Sequence, residues 1–239
     1  MWKGRLGLGL LVWGALATSA WALTYTGSIS YLDGAQISPA APSPWDDAVL
    51  SWEVTAGTDS WTYKYTWSDL GSPQKNVSHF SIEVSSNFTA ADLLSWEFSS
   101  GGGTIKELEG PKTHNELAGG IYGYKWETEE YDDLGIYGFT LTLASTRAPM
   151  WGDFYLKGGM FQGGANGNGG MVWLANLGFG SDTMAAVANG NADGWVLVPN
   201  SKGGTGGGDP IPEPGTMLLL GTGLLGIARL GRRSGRRVE

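Results

Sequence analysis

The stretch "WTYKYTW", Trp61–Trp67, alternates aromatic and polar residues without a break. In an extended chain successive side chains point to opposite sides, so Trp61, Tyr63, Tyr65 and Trp67 share one face while Thr62, Lys64 and Thr66 share the other. A helix would throw the same four rings to opposite sides of its axis. The stretch is therefore a strand with one apolar face. The same period of two continues outward along the chain. "LSWEV" sets Leu50, Trp52 and Val54 against Ser51 and Glu53, and "FTLTLAS" sets Phe139, Leu141 and Leu143 against Thr140 and Thr142. "HFSIEVS" places Phe80, Ile82 and Val84 inward, and "GYKWETE" does so for Tyr124 and Trp126.

With "TYTGSISYL", "WGDFYLKG", "MVWLANL" and "GWVLVP" the count reaches about nine strands, separated by Gly, Pro, Asn and Asp turns. "GGANGNGG", 163–170, reads as the long hairpin loop between "FYLKGGMFQ" and "MVWLANL". "FTAADLLSWEF" (Phe88–Phe98) has Ala91, Leu94 and Phe98 at helical spacing, which allows one turn of helix there. Half-buried antiparallel strands with short turns predict an all-β fold, an antiparallel β-sandwich of jelly-roll or immunoglobulin-like type. No repeat of solenoid period is present, so residues 23–200 read as one domain.

Composition agrees. Among 239 residues there are 40 glycines, which break helices, and 12 tryptophans, which suit pleated surfaces. The net charge is −8. The two terminal segments hold seven of the 15 basic and two of the 23 acidic residues, so the 8 basic and 21 acidic residues between them leave −13 for the middle. Such a surface repels polyanions, which argues against nucleic acid as a partner. The absence of cysteine excludes a disulfide framework and thiolate metal sites.

The two ends carry targeting information. Lys3 and Arg5 precede the apolar run Leu6–Ala17, and Ala20 and Ala22 stand in the small-residue arrangement that signal peptidase accepts. Residues 1–22 read as a signal peptide, an N-terminal signal helix cleaved after Ala22. At the other end Gly215–Ala228 is free of charge. As a helix these residues reach about 21 Å against a hydrocarbon core of ~30 Å, a marginal span that snorkelling arginines help to complete. A single transmembrane helix is predicted over 215–230. Arg229, Arg232, Arg233, Arg236 and Arg237 form a basic stop-transfer tail that stays cytoplasmic. "SKGGTGGGDP" is a flexible spacer, and the linker is drawn at 201–211. Pro212 and Pro214 disfavour helix around Glu213, which keeps this segment extended beside the membrane.

The order Pro212-Glu213-Pro214, apolar helix, arginine-rich terminus resembles the PEP-CTERM sorting signal of Gram-negative bacteria, over 212–239. The resemblance implies processing by exosortase, a membrane-embedded cysteine-type transpeptidase or protease, and delivery to the cell surface or extracellular matrix. "APMWGDFYLKGG" followed by "GWVLVP" is similar, more weakly, to segments of other PEP-CTERM ectodomains. "GTGLLG", 221–226, fits a dinucleotide fingerprint but lies inside the apolar tail with no preceding strand, so it is not one.

The chemistry-bearing residues are few. His79 opens a strand and His114 sits in the polar loop "GPKTHNELAGG", neither beside a nucleophile motif, so both read as exposed or structural. Glu127 and Glu129 would lie about 6.6 Å apart on one strand face, near the range of glycosidase carboxylate pairs. With Glu130, Asp132 and Asp133 beside them they read instead as a solvated acidic edge. "NGNADG" places Asn189, Asn191 and Asp193 as the opening of a calcium loop does, but the twelfth position is Asn200, not the bidentate glutamate of an EF-hand. It reads first as a turn and second as a weak metal candidate. A β face that binds ice would need a long regular threonine array, and the sequence shows only the pair Thr140 and Thr142.

The reading that follows is an exported, non-enzymatic envelope or matrix protein with no cofactor, associated with exopolysaccharide or biofilm. Its partners are signal peptidase, exosortase and, through the C-terminal helix, the inner membrane. The rings of Trp61, Tyr63, Tyr65 and Trp67 read first as a core wall. The alternative function is a carbohydrate-binding module that stacks sugars on these four rings, should their face be exposed, and a third reading is a polysaccharide-acting enzyme.

Overall fold

A computed structural model describes residues 22–32, 36–37, 45–70, 77–100, 104–115, 117, 120–128, 138–161, 170–181, 183, 185–192 and 194–199. The signal segment before Ala22, the linker, the Pro-Glu-Pro motif, the apolar tail and its arginines lie outside them, as do Glu129 and Asp193. Among the described residues no helix is long and apolar enough to cross a membrane.

The described chain is all-β. In order, the strands are β1 (Thr24–Ser30), β2 (Gln36–Ile37), β3 (Val49–Ala56), β4 (Trp61–Ser68), β5 (Val77–Glu83), β6 (Leu93–Ser100), β7 (Ile105–His114), β8 (Ile121–Thr128), β9 (Phe139–Ser145), β10 (Pro149–Gly152), β11 (Phe154–Phe161), β12 (Gly170–Asn176) and β13 (Val196–Pro199). They pair antiparallel as a five-stranded sheet, β1-β3-β4-β9-β6, and a six-stranded sheet, β2-β12-β11-β5-β8-β7. A two-stranded piece, β10-β13, accompanies them. The two larger sheets face each other as a sandwich.

Alternation in the sequence becomes alternation in burial. In β4 the rings of Trp61, Tyr63, Tyr65 and Trp67 are buried, while Thr62 and Lys64 are exposed and Thr66 is half-buried. β3 and β9 repeat the pattern on either side of it. The inward faces meet ring to ring: Trp67 lies 5.3 Å from Phe154 and 6.1 Å from Phe80, and Phe80 lies 5.6 Å from Phe139. An aromatic ring of this kind removes roughly 200 Å² from water, which stabilises the fold by at most about 5 kcal/mol.

β10 and β13 read differently, buried at every position. β13 touches β1 and β3 of one sheet and β5 of the other, so both its sides are covered. That is why "WVLVP" is continuously apolar where the sheet strands alternate. The Tyr65 hydroxyl donates to the Leu197 carbonyl at 2.8 Å, tying this strand to the centre of the five-stranded sheet.

The stretch Phe88–Phe98 holds one helical turn, a 3-10 turn at Ala90–Asp92, and then becomes strand β6. The turn is closed by Thr89, whose backbone N–H donates to Asp92 Oδ2 at 2.9 Å. Arg147 grips the same carboxylate, with Nη2 donating to Oδ2 at 2.8 Å and Nε 2.8 Å from Oδ1. That grip, the largest cause, holds the Asp92 carboxyl well below the usual range.

Candidate functional site

The aromatic row proposed as a sugar platform is the core wall of the five-stranded sheet. Trp61 is 8% exposed, Tyr63 and Tyr65 0% and Trp67 1%. The phenols of Tyr63 and Tyr65 donate inward, to the carbonyls of Arg147 at 2.7 Å and Leu197 at 2.8 Å. Burial pushes both well above the ordinary tyrosine value. No sugar reaches these rings without opening the sandwich, so the platform reading is corrected. Rings that alternate with polar residues have one wet side, and here the wet side is the polar one.

His79 and His114 are structural. His79 lies in β5, buried, with its ring 5.7 Å from Tyr155. Tyr155 in turn meets Trp173 at 6.1 Å and Phe179 at 6.4 Å, a small aromatic cluster on the outer side of the six-stranded sheet. His114 belongs not to a loop but to the end of β7, where its Nε2 lies 3.1 Å from the Gly123 carbonyl. Its burial, the largest cause, lowers its pKa.

Glu127 faces an ion cluster. Its carboxylate and those of Glu107 and Glu109 lie within 4.8 Å of one another. Lys125 Nζ stands between them, 2.7 Å from Glu127 and 3.2 Å from Glu109, and Lys112 pairs with Glu109 as well. The two ammoniums bring the Glu109 carboxyl down to about 2, the bond to Lys112 contributing most. A cation would have to compete with both lysines for these oxygens. The cluster reads as a paired edge of β7 and β8, with Lys125, Glu109 and Glu127 half-buried and Glu107 and Lys112 exposed.

In "NGNADG" the two described asparagines are committed to strand β1. Asn189 Oδ1 accepts from the Thr26 N–H at 2.8 Å, the Gly190 N–H donates to the Thr26 carbonyl at 2.8 Å, and Asn191 Nδ2 donates to the Ser28 carbonyl at 3.2 Å. β1 is the free edge of its sheet, and these bonds cover its unpaired groups. The loop is an edge guard, and the amide oxygen a cation would need from Asn189 is already in use.

What the one-dimensional pattern did not reveal is the outer face of the five-stranded sheet. Register lines up its outward residues in three cross-strand rows. The first row is Thr24, Thr55, Thr62, Ala144 and Ser95; the second is Thr26, Glu53, Lys64, Thr142 and Glu97; the third is Ser28, Ser51, Thr66, Thr140 and Ser99. None of them is buried. Eleven of the fifteen carry a hydroxyl, and two cross-strand pairs, Thr24 with Thr55 at 3.1 Å and Thr66 with Thr140 at 3.3 Å, bond to each other. A shallow depression of ≈ 440 Å³ lies over β1, β3 and β4, lined by Thr26, Ser28, Ser51, Glu53, Lys64 and Thr66 among others. The threonine pair seen in the sequence is thus part of a much larger array. Its middle row, however, carries three charged side chains, which interrupts any regular hydroxyl lattice.

A family model for the PEP-CTERM protein-sorting motif matches residues 210–237. The match includes Pro212, Glu213, Pro214 and the arginines Arg229, Arg232, Arg233, Arg236 and Arg237. No curated protein matches the chain in sequence. Among solved structures, the KRT10-binding region domain of the pneumococcal serine rich repeat protein PsrP is similar at 12% identity, over 58% of this chain and 87% of that chain, with a TM-score of 0.23. A likeness at that score carries no argument. The motif does: it implies export, exosortase processing and a destination at the cell surface or outside the cell.

Proposed function

We propose that this chain is a non-enzymatic structural protein of the cell surface or extracellular matrix, associated with exopolysaccharide or biofilm. Residues 1–22 direct export and are removed after Ala22. Residues 215–230 then hold the chain in the inner membrane, with Arg229 to Arg237 on the cytoplasmic side, until exosortase acts near Pro212–Pro214. The domain over 23–200 is what the cell delivers.

The observation that carries this reading is the sorting motif at 210–237, set apart from β13 by a glycine-rich spacer. From Asn200 to Ile211 the spacer has a root-mean-square reach of roughly 20 Å, enough to hold a folded domain clear of the bilayer. The non-enzymatic part is supported by where the candidate groups went. Both histidines are buried, and Glu127 is paired with a lysine.

The test is fractionation of the native host producing the parent chain or a triple variant, Pro212→Ala, Glu213→Ala and Pro214→Ala. The parent is expected in the outer envelope or medium and the variant in the inner membrane. Equal distribution of the two would overturn the reading.

A further inference from the structure

We propose that the outer face of the five-stranded sheet binds an uncharged polysaccharide chain, a role that rests on the matrix-protein reading and gives it a surface and a ligand class. The three rows set out above span five strands. At ~4.8 Å between strands and ~6.7 Å between rows, they cover a field of about 19 by 13 Å, long enough for several sugar rings. Serine and threonine hydroxyls both donate and accept, as sugar hydroxyls do, so either chain direction finds partners. Their short side chains lose little rotamer entropy when a ligand settles on them, unlike lysine or glutamate. Threonine methyls offer apolar contact to the C–H faces of the rings.

The middle row supplies the stronger bonds. Glu53 on β3 stands directly opposite Lys64 on β4, inside the depression that Thr26 and Thr66 help to line. A carboxylate beside an ammonium presents one strong acceptor and one strong donor to neighbouring sugar hydroxyls, and such charge-assisted bonds exceed neutral ones about twofold. The same row decides the ligand's charge. Glu53 and Glu97 outnumber Lys64 on this face, and the whole chain carries −8, so a polyuronate or other polyanion is repelled.

Burial sets this face apart from its counterpart. On the outer side of the six-stranded sheet His79, Ser81 and Tyr155 are buried, whereas no outward residue of the three rows is. The backbone beneath is paired across all five strands and guarded at β1 by Asn189 and Asn191, so the positions from which the hydroxyls project are set before any ligand arrives, while each hydroxyl can still turn to suit it.

The experiment is affinity electrophoresis of the full-length chain in mild detergent, through gels containing a neutral glucan, mannan or galactan, or the polyanion alginate. Retardation by at least one neutral polymer and none by alginate is expected. A Lys64→Ala, Thr142→Val variant should bind about tenfold or more weakly, the loss that removing a charged bond produces. A Glu107→Gln variant on the other sheet should bind as the parent does. Circular dichroism establishes that each variant is folded; both changed positions on the face are outside the core, and Thr66→Val with Glu53→Gln serves if the first pair misfolds. Retardation by alginate alone, no retardation by any neutral polymer, or equal binding by the face variants would overturn the proposal. So would a face-dependent self-association in place of glycan binding, measured by sedimentation. The two readings fail separately: a chain that reaches the surface but ignores every glycan removes only this face, while a chain that binds a neutral glycan in the gel but is never exported removes only the sorting account.

Discussion

Tyr65 shows in one side chain how the core is specified. Its ring lies in the sandwich interior, stacked 6.5 Å from Tyr63 and edge-on to Phe80 at 6.2 Å, while its hydroxyl reaches the Leu197 carbonyl. Phenylalanine would fill the space but leave that carbonyl without its partner, at a cost of about 1 kcal/mol for each such bond. The same burial predicts a dependence on pH. In the folded protein Tyr63 and Tyr65 stay neutral far above the ordinary value, chiefly through desolvation, with Tyr63 raised further by Tyr65. In the unfolded chain they ionise near pH ~10. Their contribution is therefore complete below pH ~10 and falls as the pH rises beyond it, because only the unfolded state releases the protons. A Tyr63→Phe, Tyr65→Phe variant should lose about 2 kcal/mol at pH 7, yet lose less than the parent between pH 9 and 11. Urea melts across that range test it, and parallel pH profiles for the two proteins would contradict it.

At the scale of elements, β1 and its guard loop depend on one glycine. A methyl group on Gly27 would come within 2.3 Å of both the Gly190 carbonyl oxygen and Trp52 Cζ2, so the loop would have to leave the edge. Gly27→Ala is expected to cost about 1–3 kcal/mol as overpacking. Exchange of the Thr26 amide, which Asn189 now holds, should quicken with it. Unchanged exchange at Thr26 would show that the loop does not protect the edge. All nine strands expected from alternation are present: most have one wet and one dry side, β13 is buried throughout, and β5 and β11 bury His79, Ser81 and Tyr155 on their outer side as well. β7 was hidden for a physical reason. "IKELEGPKTH" lies at the edge of its sheet and has no period of two, with charges at Lys106, Glu107, Glu109 and Lys112, and its Gly110-Pro111 pair reads as a turn, so His114 reads as a loop residue. β6 was obscured by the turn at its start, since the spacing Ala91, Leu94, Phe98 mixes turn and strand residues. β2, at two residues, offers no period to detect.

On the scale of the whole molecule, what was legible divides by how local it is. The sorting motif is a contiguous run and could be read directly, as the match at 210–237 bears out. The hydroxyl face is assembled from five strands whose order is not their order in the chain, β1-β3-β4-β9-β6, and no window of sequence contains it. The aromatic row was legible as a face and reads first as core, which its burial bears out, while the sugar platform stayed open as the alternative because burial depends on the second sheet. Together these features describe a sandwich whose last described strand, β13, is buried in the core and ends at Pro199, eleven residues before the sorting motif begins at residue 210; on the proposed reading that motif is cut away and the sandwich is kept. Intact mass of the chain recovered from the envelope and medium of its native host tests this most directly. The account predicts a species that begins at Leu23 and ends between Pro212 and Gly215, with or without an added group at that end. A chain that still runs to Glu239 in the membrane fraction, and appears in no shorter form elsewhere, would contradict it.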